Sequence, residues 1–134
     1  MNITYDLKLD VTYLEQVQNA TLNTEEFGIQ QTHGLFGSGE WWQKIETGEL
    51  KLITLKGKIA KTFMGSMGDW PMFELVNLEG EKSQWTRELN NKNNDTFYSV
   101  GKNVEIDYVI QHHKENSFSK ETETKCIIQI RVEK

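Results

Sequence analysis

Met64-Gly65-Ser66-Met67-Gly68-Asp69-Trp70-Pro71-Met72-Phe73 lies between two runs of alternating residues, and the fold turns on how those runs are joined. The stretch holds the only proline, two of the ten glycines and three of the four methionines. Gly, Ser, Asp and Pro each favour turns for a separate backbone reason, so it reads as a loop between two strands. Loops run over protein surfaces. Met67, Trp70 and Met72 in such a loop have one of two roles. They fold back to cap the core, or they form a binding surface of soft and aromatic side chains.

Upstream, Ile53, Leu55, Ile59 and Phe63 fall on one phase, and Thr54, Lys56, Lys58, Ala60 and Thr62 on the other. That period of two predicts a strand with one buried face. Gly57 in its middle predicts a bulge or sharp bend. Downstream, Phe73 to Leu78 reads as a second strand, with a polar turn around Gly80. Ser83 to Leu89 reads as a third strand with Trp85 and Arg87 on one phase, and Asn90 to Asp95 as a polar loop. Val104, Ile106, Tyr108 and Ile110 then share one strand face, with Glu105 and Asp107 opposite. His113 to Lys120 is a polar connection, and Cys126, Ile128, Ile130 and Val132 mark the last strand.

The N-terminal third is less regular. Ile3, Tyr5, Leu7, Leu9 and Val11 alternate with polar residues and predict a strand of unclear end, since Tyr13, Leu14 and Val17 suit either a helical turn or a bulged continuation. Thr24-Glu25-Glu26 is a helix-start signal with Thr24 as cap. Ser38 is a good N-cap for a short helix from Gly39 to Thr47. In that helix Glu40 complements the dipole, and Gly48 suits the left-handed C-terminal cap. This Trp41- and Trp42-bearing helix is expected to plug one end of a β structure.

Strands joined by short turns pair antiparallel. About six of them with a short helix over one end predict one mostly-β domain over residues 1–134, a small antiparallel barrel or strongly bent sheet. Over residues 50–134 the order of long strand, hairpin and a Gly before an amphipathic strand is similar to oligonucleotide-binding barrels at the level of pattern. A length of 134 residues suits one domain.

Charge and composition narrow the function classes. The net charge is -5, and residues 1–49 carry eight acids against two lysines. An acidic chain disfavours general nucleic-acid binding, because phosphate neutralisation supplies most of that affinity; the acidic third suits solubility or a basic protein partner. No apolar run is long enough for a membrane-spanning helix, and no secretory signal is visible. Cys126 stands alone, so no internal disulfide forms, which fits a reducing cytoplasm.

His112, His113 and Glu115 are the one compact cluster of metal-ligand types, with His33, Asp69 or Glu121 as conceivable third ligands. Adjacent strand residues point to opposite faces, so His112 and His113 are weak candidates and no metal or cofactor is expected. No nucleophile elbow occurs, Cys126 falls on an apolar face, and Glu105 with Asp107 reads as a charged solvent row rather than an acid–base pair. Gly34, Gly37 and Gly39 precede a helix, but Glu40 sits where a phosphate would go.

The reading is a non-enzymatic interaction module with a protein partner. Its contact surface is the 64–73 stretch (Met67, Trp70, Met72) with Trp41, Trp42, Trp85 and Arg87. Two alternatives stand beside it. One is a single-stranded nucleic-acid binder using Lys51, Lys56, Lys58 and Lys61 with Trp70, Phe73, Trp85 and Arg87. The other is a small-ligand protein or enzyme with a site in the barrel mouth near Trp41, Trp70 and His112.

Overall fold

A computed structural model describes residues 1–114 and 122–134. The strands are β1 (Asn2–Asp6), β2 (Ile53–Gly65), β3 (Trp70–Asn77), β4 (Lys82–Thr86), β5 (Asn103–His112) and β6 (Glu123–Val132). The helices are α1 (Val11–Asn23) and α2 (Gly39–Thr47). The six strands form one mostly antiparallel-paired sheet in the order β1-β6-β5-β2-β3-β4. It does not close into a barrel, and β1 and β4 are its edges. The chain clusters into two compact units, one of residues 1–6, 54–107 and 128–134 and one of residues 7–53 and 108–127.

In the first unit, Ile59, Phe73, Leu75, Val104, Ile106, Ile130 and Val132 are fully buried. The free edge of β1 is covered from within. The Asn90 N–H donates to Thr4 O, the Asp6 N–H donates to Asn90 Oδ1, and Asn90 Nδ2 donates to Asp6 O. One asparagine thus satisfies the edge groups that a further strand would take. Behind it Tyr98 donates its hydroxyl to Glu88 O and pairs with Thr4 Oγ1 at 2.8 Å. Burial pushes the Tyr98 phenol well above its ordinary range, against the lowering effect of the Thr4 hydrogen bond.

The bend in β2 lies elsewhere than expected. Its pairing with β3 slips between Ile59 and Lys61, at Ala60, whereas Gly57 pairs regularly with Asn77. Gly57 is needed for close approach, since a Cβ there would lie 2.4 Å from the Val76 carbonyl oxygen. The slip corrects the sequence phase. Ile59 pairs with buried Leu75, but Phe63 pairs with Met72 on the opposite face. A similar change occurs in β5, where burial passes from Val104 and Ile106 to Val109 and Gln111, leaving Tyr108 and Ile110 half-buried. The third expected strand is also shorter, ending at Thr86 rather than Leu89.

In the second unit, β1 gives way to a 3-10 turn (Leu7–Leu9), and Asp10 caps α1 by accepting the Tyr13 N–H. The expected strand to Val11 therefore stops at Asp6, and most of the following stretch is helical. Thr24 does not start a helix; it is the C-cap of α1, and its N–H bonds Ala20 O. Lys114 Nζ donates to the carbonyls of Ala20, Thr21 and Thr24, placing a cation at that helix's negative end. The α2 boundaries are as read from the sequence. Ser38 Oγ accepts the Trp41 N–H, and Gly48 caps the end at φ 85°.

Cys126 is buried, and burial pushes its thiol up to about 12. A thiol that stays protonated is a poor nucleophile. The native protein is therefore expected to resist iodoacetamide at pH 8 and to react promptly in denaturant. Mass-spectrometric counting of adducts checks this, and rapid native alkylation would contradict the burial.

Candidate interaction face on the hairpin and its sheet

The 64–73 stretch is a tight β-hairpin rather than a long loop. Phe63, Met64 and Gly65 pair with Met72, Pro71 and Trp70, so only residues 66–69 turn. Met67 sits at φ 61°, a left-handed conformation that is uncommon outside glycine. Its side chain is 100% exposed, Trp70 is 54% exposed and Met64 is 50% exposed. The core-capping role for this stretch is not what the geometry has.

The exposed indole is nonetheless held in place. Trp70 Nε1 donates to Thr86 Oγ1 at 2.8 Å, and the Thr86 hydroxyl contacts Met72 Sδ at 3.6 Å. Arg87 braces the hairpin from the other side. Its Nη1 donates to Phe63 O and Met72 O, its Nε to Asp95 Oδ1 at 3.0 Å, and its Nη2 lies 3.8 Å from Met64 Sδ. With its side chain 11% exposed, Arg87 is mainly a brace for backbone carbonyls. A large aromatic on a fixed rotamer loses little entropy on contact, which is what makes such residues efficient anchors.

Residues opposite each other in antiparallel strands share a face, so the pairing builds the outer surface in rows. Gly65 stands beside Trp70, and Phe63 beside Met72 and Thr86. Lys61 stands beside Glu74 and Gln84, and Lys58 beside Val76 and Lys82. One end of this face is apolar and the other basic. Lys61 Nζ lies 5.1 Å from the Phe63 ring centroid and 3.9 Å from Glu74 Oε2.

Trp85 shares the inner face with Phe73 and is buried, with its Nε1 donating to Ser83 Oγ. In the second unit Trp41 is 0% exposed, donates Nε1 to Gln111 Oε1 at 3.0 Å, and packs on Phe36 with ring centroids 4.7 Å apart. Trp42 is half-buried, with Lys8 Nζ 5.0 Å from its ring centroid. Of the seven residues singled out from sequence, the hairpin brings Met67, Trp70, Met72 and Arg87 together. Trp41 and Trp85 lie in cores, and sequence phase alone did not separate buried from exposed tryptophans. Sequence reading missed Phe63 and Thr86; the signal for Phe63 was hidden by the slip at Ala60.

Among the described residues no group of three or more His, Cys, Asp or Glu side chains is arranged to hold a metal. His112 is exposed and the His113 backbone bridges Ile29; Glu115 and Glu121 lie outside the described residues. Glu105 and Asp107 are engaged rather than poised for acid–base work. Arg131 binds Asp107 with Nη1 at 2.7 Å and Nη2 at 3.1 Å, and Glu105 with Nε at 3.1 Å. No helix among the described residues is long and apolar enough to cross a membrane.

The hairpin end thus presents an anchored, outward-facing indole beside an exposed methionine turn. The model of a family described as "Immunity protein RhsI2" matches residues 1–133. The chain belongs to that family. No curated protein matches it. Immunity proteins bind a partner toxin protein, which agrees with a small protein-binding module for this RhsI2-family chain.

Proposed function

We propose that this chain neutralises a toxin by binding it directly, and that the β2–β3 hairpin end is the part that docks. The observation that carries this reading is Trp70, half exposed yet fixed by Thr86, at a hairpin tip whose turn holds fully exposed Met67. Monomer surfaces rarely hold large apolar groups out together without a partner for them. Met72, Thr86 and Arg87 set the hairpin's shape, and Trp85 fills the core of the same unit. The single buried thiol suits a reducing cytoplasm as the working compartment.

The nucleic-acid alternative is less well supported. Phe73 and Trp85, two of its stacking candidates, are buried, and the net charge is -5. The small-ligand alternative loses Trp41 as a lining residue, since that indole is fully enclosed.

The test is affinity capture by the tagged chain from its native lysate, with and without nuclease, followed by toxin neutralisation with the captured protein. Trp70→Ala is expected to weaken the captured complex by about 30-fold, the scale of one aromatic hot spot of about 2 kcal/mol. Its melting temperature should stay within about two degrees of the wild type, because the side chain is half exposed. Leu78→Ser, at the exposed β3–β4 turn, serves as the control and should bind normally. A Trp70→Ala protein that loses stability but keeps full affinity would refute the docking role.

A further inference from the structure

Resting on that reading, we infer the chemistry of the partner: the outer face of β2, β3 and β4 receives an acidic protein surface on the toxin, with the hairpin end as apolar anchor. The inference comes from the row-by-row charge of this face. Lys58, Lys61 and Lys82 stand on it against a single acid, Glu74. Glu74 is already beside Lys61, at 3.9 Å. The next row, Lys58–Val76–Lys82, sets two exposed lysines on either side of a half-buried valine. Their Cα atoms are two strand spacings apart, roughly 10 Å, a separation that one acidic helix turn or strand end can bridge.

The neighbouring part of the same unit's sheet gives the contrast. There the charges are consumed within the molecule. Arg131 holds Glu105 and Asp107, Thr54 donates to Asp107 Oδ1 at 2.7 Å, Lys56 lies 4.0 Å from Glu105 Oε2, and Gln129 Nε2 donates to Asp6 Oδ2. The polar groups of β1, β6, β5 and the start of β2 thus neutralise one another. Across β2, β3 and β4 the face keeps an excess of two positive charges, at the end away from its exposed tryptophan. Charge of one sign at one end of a face whose other end carries an aromatic anchor gives orientation and association speed to a complex whose affinity the anchor supplies. Single-stranded nucleic acid would also seek positive charge, but it needs several stacking platforms. This face offers Trp70 and a half-buried Phe63 only.

The test uses the full chain and the purified protein captured above, titrated at about 50 mM and about 300 mM salt, where screening differs strongly. K58E/K82E is expected to weaken binding at least tenfold at low salt, mainly through slower association, and to flatten the salt dependence. K58R/K82R should bind as wild type, and Trp70→Ala should lose affinity by the same factor at both salts. Both lysines are exposed, so thermal melts of the variants should overlay, and the Arg pair controls for any that do not. If K58E/K82E binds like wild type at low salt while Trp70→Ala does not, the acidic-partner inference fails and the docking role survives. If no protein is captured, both fail. Tight binding of an oligothymidine probe, or dimerisation of the isolated chain, either abolished by K58E/K82E, would assign the face to that other occupant and overturn the inference.

Discussion

Replacing Trp41 by alanine is expected to lower the unfolding free energy by about 4 kcal/mol, the largest single-residue effect in this chain. The residue is the largest of the fully buried side chains. Its indole lies against Phe36, with the Trp42 ring 4.9 Å away at 76° and Tyr13 edge-on to Phe36 beyond. Truncation leaves a large cavity that a helix capped at both ends cannot collapse into. A second loss comes from Gln111, which is 1% exposed and receives the indole N–H on its Oε1. Trp41→Phe isolates that part. It keeps most of the volume but leaves a buried amide oxygen without its donor, at about 2 kcal/mol. Pairing it with Gln111→Met should recover about half of that, since both polar partners are then gone. Urea titrations followed by circular dichroism measure all three. A Trp41→Phe protein as stable as wild type would show that the hydrogen bond contributes nothing.

That site also shows what the sequence could say. Ser38, Glu40 and Gly48 are local signals, each satisfied within a turn or two, and α2 is where they place it. The partner of Trp41 is not local. Gln111 sits 70 residues on, in a strand whose buried face changes phase after Ile106. A period-two pattern assumes an unbroken pleat and carries no mark of such a shift. The same physics displaced Phe63: the slip at Ala60 moved it to the outer face, although its spacing from Ile59 matches an inward position. α1 was obscured for another reason. Its inward positions include Gln18 and Thr21, whose polar atoms bond Phe36 O and Val17 O, so the helix shows no apolar stripe. Closure of the sheet was overread because strand count alone suggests it. Asn90, a loop residue by composition, covers the β1 edge with its side chain instead. The hairpin was legible as a feature because Pro71, Gly65, Gly68 and the methionines cluster there. Its exposure was not, because composition says what residues a turn holds and not which way they face.

The second large effect concerns Arg131 and acid. Burial alone would push the Asp107 carboxyl up, but hydrogen bonds from Arg131 and Thr54 and the guanidinium charge outweigh it and hold it below its ordinary value. The same partners hold the Arg131 guanidinium more firmly protonated. A carboxyl lowered on folding adds stability that is full above its unfolded value near 4 and is lost as pH falls through the lower folded value. The wild type should therefore keep this contribution at neutral pH and weaken only below about pH 4. Arg131→Gln removes the attraction and leaves the desolvation, with Glu105, now paired only with Lys56 at 4.0 Å, a like-charged neighbour of Asp107. The sign of the linkage then reverses, because the Asp107 carboxyl is raised and its charged form disfavours folding as pH rises. The expected loss is about 2 kcal/mol at pH 7, less than a fully buried pair costs when broken, because the Arg131 side chain is 21% exposed. At pH 3 the loss should shrink below about 1 kcal/mol, since the carboxyls are largely protonated in the variant. Arg131→Gln with Asp107→Asn should restore part of the neutral-pH stability without restoring the wild-type acid limb. Urea midpoints from pH 3 to pH 7 decide it: an Arg131→Gln penalty independent of pH would mean that packing, not charge, carries the interaction. On the docking face proposed above, binding of the toxin at neutral pH should be unchanged in that variant, because Arg131 pairs with Glu105 and Asp107 and does not stand in the rows of β2, β3 and β4 that carry Lys58 and Lys82.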